Sequence, residues 1–144
     1  MAVRDTNKIK KPYIADRDED VYIGIDMPFH RGDDRNGMFA ATSTTLKAVK
    51  VNARNLLQTE LGERVMQPTL GVRLRQYLFE PFTEDIKVSI QNSIVDTFSV
   101  WLPFVTIVAL DVEMSDANAL KIFVEFVLNR DPTTTESVQV TIGE

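Results

Sequence analysis

The sequence predicts an α+β domain in which two long helices plus a short one pack on a small, mostly antiparallel sheet. Three observations carry this. Ile86, Ile90, Ile94, Phe98 and Trp101 recur every three or four residues, the spacing of one helix face. After Pro103 the apolar period falls to two, as in half-buried strands. Helical runs and strand runs occupy separate parts of the chain, which argues against an alternating α/β plan.

Taken in order, residues 1–20 are rich in Lys, Arg and Asp and poor in large apolar side chains. They cannot bury enough surface to offset the entropy of ordering, so they are either a flexible tail or a segment ordered by a partner. Residues 21–144 form the single domain. Val21, Ile23 and Ile25 alternate with Tyr22, Gly24 and Asp26, which suggests a first strand ended by Pro28. Asn36-Gly37 is a hairpin-turn dipeptide that would let Met38, Phe39 and Ala40 pair back on that strand.

Hydroxyls from Thr42 to Thr45 offer N-caps for a first helix. Its apolar positions are Leu46, Val49, Ala53, Leu56, Leu57 and Leu61, and Gly62 stands where it would stop. A central loop follows. Pro68 bars the helical conformation for Gln67, and Gly71 allows a second turn. Val72, Leu74, Leu78 and Phe79 then fall on a short helical stripe closed by Pro81.

Thr83 caps the second long helix, and Glu84 and Asp85 complement its dipole. Val88 and Val95 widen its apolar stripe. Pro103 ends it near Trp101. Thr106, Val108, Leu110, Val112 and Met114 make one strand row, with Val105, Ile107 and Ala109 facing the other way. Leu120, Ile122, Val124, Phe126 and Leu128 make a second row beyond the loop at Ser115-Asp116-Ala117-Asn118. Asp131-Pro132 breaks the sheet, three threonines link onward, and Val138, Val140 and Ile142 form a last strand on a sheet edge.

The totals narrow the function. The chain has 144 residues, a net charge of −5, 44% hydrophobic and 26% charged residues, and no cysteine. That is ordinary globular composition for one domain able to bury a real core. The acidic balance disfavours a nucleic-acid partner, the only basic run being Lys8-Ile9-Lys10-Lys11. Without cysteine there are no disulfides, thiolate metal sites or cysteine nucleophiles, which fits a reducing compartment. No apolar run approaches the roughly 18 residues of a membrane span, and the start of the chain is too polar for a secretory signal.

Catalytic constellations are thin. His30, Asp33 and Asp34 invite a metal or catalytic reading, but His30 is the one histidine and no second ligand cluster accompanies it. No serine motif adjoins it, and Gly62 and Gly71 are too far apart for a phosphate loop. Two carboxylates, Glu63 and Glu80, could be drawn as a glycoside-hydrolysing pair. No metal and no cofactor are expected, and no enzyme activity.

The central stretch carries a resemblance. Gly62-Glu63-Arg64, then Pro68, then Gly71, then Leu78-Phe79-Glu80 resemble, in order and spacing, a motif of the baseplate wedge proteins of contractile phage tails. That small family primes the tail sheath, has a counterpart in type VI secretion baseplates, and has been labelled lysozyme-like. The resemblance covers about residues 20 to 142 and makes 21–144 a single wedge domain. It implies a structural protein of the virion tail baseplate, assembled in the host cytoplasm. Its partners would be other wedge proteins and the tail sheath protein, with tube or hub proteins as further candidates, and neither nucleic acid nor membrane. The alternatives are a peptidoglycan-degrading tail lysozyme and an unrelated small adaptor.

Three groups of residues follow. Gly62, Glu63, Arg64, Pro68, Gly71 and Glu80 would form the structural loop, Arg64 either fixing its shape or touching a partner directly. Many members carry Glu-Pro-Arg after the second helix to contact a helical bundle of the wedge. Here Leu102, Pro103 and Phe104 stand there and only the proline matches, so an apolar contact through Trp101, Leu102, Pro103 and Phe104 replaces the charged one, unless these side chains fill the core. Ser137, Val138, Gln139, Val140, Thr141 and Ile142 would form the edge on which a sheath strand adds.

Overall fold

The computed structural model describes residues 22–32, 38–115 and 119–143. The expectations for residues 1–20, for Val21, for Asp33 and Asp34, for the Asn36-Gly37 turn and for positions 116–118 lie outside these residues. The described chain runs β1 (Gly24–Ile25), β2 (Ala41–Thr42), α1 (Thr45–Gln58), a 3-10 turn (Arg75–Phe79), α2 (Glu84–Trp101), β3 (Val105–Ser115), β4 (Ala119–Leu128) and β5 (Asp131–Ile142).

This corrects the predicted architecture. Among the described residues there are two α-helices, not two plus a short third, and two antiparallel sheets, not one. β1 and β2 make a two-stranded ribbon, while β3, β4 and β5 make a three-stranded sheet in that order. The ribbon stays small for a local reason. Ile23 N–H donates to Thr42 O and Asp26 N–H to Ala40 O, at 2.8 and 2.9 Å, but Pro28 has no amide with which to continue. Ala40 pairs back as predicted, through Asp26 and His30, but Phe39 makes only an isolated bridge to Arg31, and the return strand itself is Ala41–Thr42.

The short helix fails because the chain tightens into a five-residue 3-10 segment. With three residues per turn, Leu74 and Tyr77 share the buried side. Phe79, expected on the stripe, is 91% exposed. Tyr77 Oη lies 3.2 Å from Ser89 Oγ, which ties the turn to α2.

α1 begins at Thr44, whose hydroxyl accepts from Lys47 N–H at 3.4 Å, and α2 at Thr83, whose hydroxyl accepts from Ile86 N–H at 3.5 Å. α1 stops at Gln58, short of the predicted Leu61. The chain leaves the helix at Thr59. Both its amide and its hydroxyl donate to Asn55 O, at 3.0 and 2.6 Å, while its backbone turns extended. On α2, Ile90, Ile94 and Phe98 are buried as their spacing predicts, but Val88 and Val95 are exposed on the opposite side and do not widen the stripe.

Leu120, Ile122, Val124, Phe126 and Leu128 of the central strand β4 all face the helices and are buried. β3 departs from its predicted rows at one residue. Ile107 pairs with Phe126 and Ala109 with Glu125, so Val108 is an unpaired bulge. The bulge reverses parity: Val105 and Ile107 face the core before it, Leu110 and Val112 after it, and Val108 is exposed. β5 starts at Asp131, not after the threonines, because a register jump between Val127↔Thr135 and Leu128↔Asp131 takes up the positions between. α1 lies against β5 and α2 against β3, enclosing one core.

Candidate protein-docking site

A loop that turns twice needs residues that tolerate unusual backbone and groups that satisfy its amides. Gly62 has φ +90° and donates its N–H to Pro68 O at 2.9 Å, which closes the loop's neck. Gly71 has φ +114°, and Val72 N–H donates to Thr59 O at 3.0 Å. The side chains of Glu63 and Arg64 go to different partners. Glu63 Oε2 accepts from Glu60 N–H at 3.0 Å, and Arg64 Nη2 donates to Asn55 Oδ1 at 3.3 Å. Arg64 thus reaches back to the last turn of α1 across an exposed surface. The tip presents Val65 and Met66, each 92% exposed. Glu80 is exposed beside Phe79 at the far end of the segment.

The four residues at the end of α2 divide between core and surface. Leu102 is 6% exposed, and its N–H donates to Phe98 O at 2.8 Å. Trp101 is half-buried against the core, Pro103 is exposed, and Phe104 is 46% exposed. Trp101 and Leu102 line a recess of about 200 Å³ with Asn52, Asn55 and Leu56 of α1 and Leu70 of the loop. The fold therefore brings the helix end and the central loop together, with Asn55 shared between the recess and Arg64. The two roles separate by mutation. Leu102→Ser is expected to cost roughly 2–4 kcal/mol in urea unfolding, and Phe104→Ser under about 1 kcal/mol.

β5 is an edge strand. Val138 and Val140 are buried and Ile142 packs on the core, while Gln139 and Thr141 are exposed on the outer face and Ser137 is half-buried. The predicted edge residues thus split by parity into those that hold the strand and those that show outward.

Among the described residues no group of three or more His, Asp or Glu side chains could hold a metal. His30 Nδ1 lies 2.9 Å from Pro28 O on an exposed surface. Neither Glu63 nor Glu80 lines the recess at Trp101, the recess of about 250 Å³ between the ribbon and α1, or the one of about 230 Å³ on the outer sheet face.

Sequence reasoning missed Thr59, where the backbone turns extended and the helix ends although the apolar spacing runs on to Leu61. It also missed Val65 and Met66, which could have been noticed as adjacent apolar residues falling outside any period in a loop.

The family model of the baseplate wedge protein gp25 matches residues 43–133. No curated protein matches the chain. Several solved structures are similar. A Geobacter sulfurreducens protein provisionally described as a tail lysozyme aligns with a TM-score of 0.61 at 20% identity, over 70% of this chain and 92% of that one. A chain of the anti-feeding prophage baseplate aligns at 0.56 and 17% identity, over 84% of this chain and 83% of that one. One from the postcontracted pyocin R2 baseplate aligns at 0.54 and 25% identity, over 67% and 96%. The first two likenesses establish the fold.

Proposed function

The chain belongs to the baseplate wedge protein gp25 family, and from that premise we propose that this structural component of a contractile-tail baseplate docks on its wedge partners and receives the first strand of the sheath. The observation that carries the proposal is the rim at β5. It ends a three-stranded sheet, it is held from inside by Val138 and Val140, and its outer-face side chains Gln139 and Thr141 are uncharged. Among the described residues no strand lies beyond β5, and an edge of this kind is a template for another chain's backbone. Docking on the wedge uses the recess where Trp101 meets the central loop, with Pro103 and Phe104 beside it. The particle is a tail assembled in the host cytoplasm, and the chain acts through protein surfaces without catalysis.

The test must leave the core alone. Deleting residues 131–144 would also remove Val138 and Val140, so it cannot separate edge from fold. The triple variant Ser137→Lys, Gln139→Lys and Thr141→Lys keeps the inward side chains and places lysines along the rim, a known way to blunt an edge. We expect unfolding midpoints within about 1 kcal/mol of the parent and at least about tenfold slower nucleation of sheath tubes. Unchanged nucleation would reject the strand-addition reading. Clearing of purified cell wall that disappears on Glu63→Gln or Glu80→Gln would instead support the lysozyme.

A further inference from the structure

Among the described residues the three-stranded sheet ends at β3 on one side and β5 on the other, and the two edges are treated differently. Beyond the bulge at Val108, Leu110 faces the helices and Asp111 faces outward. Lys87 belongs to α2, in the helix layer, yet its Nζ lies 3.1 Å from Asp111 Oδ1 on the opposite side of the sheet. The inner flank of β3 is filled by β4, through Leu110↔Val124 and Asp111↔Phe123. Lys87 can therefore reach Asp111 only around the unpaired rim of β3. One turn on, Gln91 Nε2 donates to Leu110 O at 3.1 Å. A strand carbonyl lies near the sheet plane, so this bond sits on the same rim.

α1 does not do this to β5. Its tie, Lys50 Nζ to Glu136 Oε2 at 3.1 Å, ends on a residue of the same parity as Val138 and Val140 and so stays on the core side. From Ser137 to Ile142, no described side chain is bonded to the outer flank of the strand.

We propose that Lys87 and Gln91 strap the outer edge of β3, so that the sheet admits one incoming strand and admits it only beside β5. The inference deepens the strand-addition reading and rests on it for the identity of the incoming strand, an extended segment of the sheath protein. The bulge at Val108 adds to the closure, since a bulge twists an edge out of register with any straight neighbour. The contact is also electrostatically set: Lys87, with help from the Val112 amide, holds the Asp111 carboxyl below its ordinary range, and the Lys87 ammonium is raised in turn. One open edge gives each copy a single acceptor and a fixed polarity. One edge limits self-association to a pair, whereas two would let copies of this chain zip into open-ended arrays.

The chain has no cysteine, so single cysteines report edge contacts cleanly. In the full chain, Glu113→Cys marks β3 and Thr141→Cys marks β5. Combining Glu113→Cys with Lys87→Ala and Gln91→Ala is expected to give about tenfold more disulfide-linked dimer than Glu113→Cys alone, with a matching shift in sedimentation velocity. Thr141→Cys should cross-link equally with or without those two changes. A second arm guards against simple unfolding: Lys87→Glu should open the edge and Lys87→Glu with Asp111→Lys should close it, at equal helicity by circular dichroism. Equal β3 cross-linking across the alanine pair, or across the charge-reversed and charge-swapped forms, overturns the strap. Failure of the β5 lysine variant to slow tube nucleation overturns only the sheath reading, because the cysteine measurements use no sheath protein.

Discussion

Gly71→Ala should cost roughly 3 kcal/mol or more, read as a large drop in the urea midpoint at unchanged slope. Two effects add. The backbone at Gly71 has φ +114°, beyond the left-handed helical region, and holding a residue with a Cβ there costs about 1–3 kcal/mol. The new Cβ would also lie 2.3 Å from Thr59 O and 2.9 Å from Thr59 C, a backbone collision that no rotamer relieves. Relief means moving the Thr59 carbonyl away from Val72 N–H, which breaks a 3.0 Å bond worth about 0.5–1.5 kcal/mol net. Gly62→Ala is the internal control. Its φ is +90°, but nothing lies within 4 Å of the added Cβ, so only strain remains, about 1–2 kcal/mol. A Gly71 variant no worse than its Gly62 counterpart would show that Thr59 yields freely.

Phe126→Ala should cost about 3–5 kcal/mol, the range for deleting a large aromatic side chain from a closed core. Phe126 is fully buried on the central strand, opposite Ile107 on one side and Glu136 on the other. It is walled in by a sheet, where ladders on both flanks of β4 limit collapse into the vacated space. Phe123 offers the contrast. It belongs to the same strand but the other face and is partly exposed, so Phe123→Ala should fall well below that range in the same thermal or urea experiment.

Periodicity made α2 and β4 legible, because each is a long element with one buried face and no competing local bond. Ile90, Ile94 and Phe98 recur at helical spacing, and Leu120 to Leu128 alternate without interruption. The errors came from events that periodicity averages away. One unpaired residue, Val108, reversed the faces of β3. At Thr59 the backbone turned extended and ended α1 before its apolar pattern ended. A change from 3.6 to three residues per turn put Phe79 in solvent and Tyr77 in the core. The separation into two sheets was unreadable for a related reason: alternation in residues 21–25 says that a strand exists and nothing about which partner it finds.

The candidate surfaces were partly legible in the same way. Gly62 and Gly71 announced a loop, because positive φ needs glycine, and the structure gives both that conformation. At Trp101 to Phe104 the sequence left core and contact open, and the side chains divide, Leu102 inward and Phe104 half outward. The Lys87–Asp111 and Gln91–Leu110 links left no trace in the sequence, since they join residues far apart in the chain through ordinary surface side chains.

The register jump between β4 and β5 has a consequence for how this chain can vary. Thr135 to Ile142 keep one continuous pairing with β4, and the register then shifts between Thr135, opposite Val127, and Asp131, opposite Leu128. That shift is where the hairpin already departs from a regular register. A relative that gained or lost a residue there could absorb the change locally, whereas the same change after Thr135 would turn Val138 and Val140 out to water and their neighbours in. The terminal ribbon can therefore hold its phase while the connection before it drifts in length.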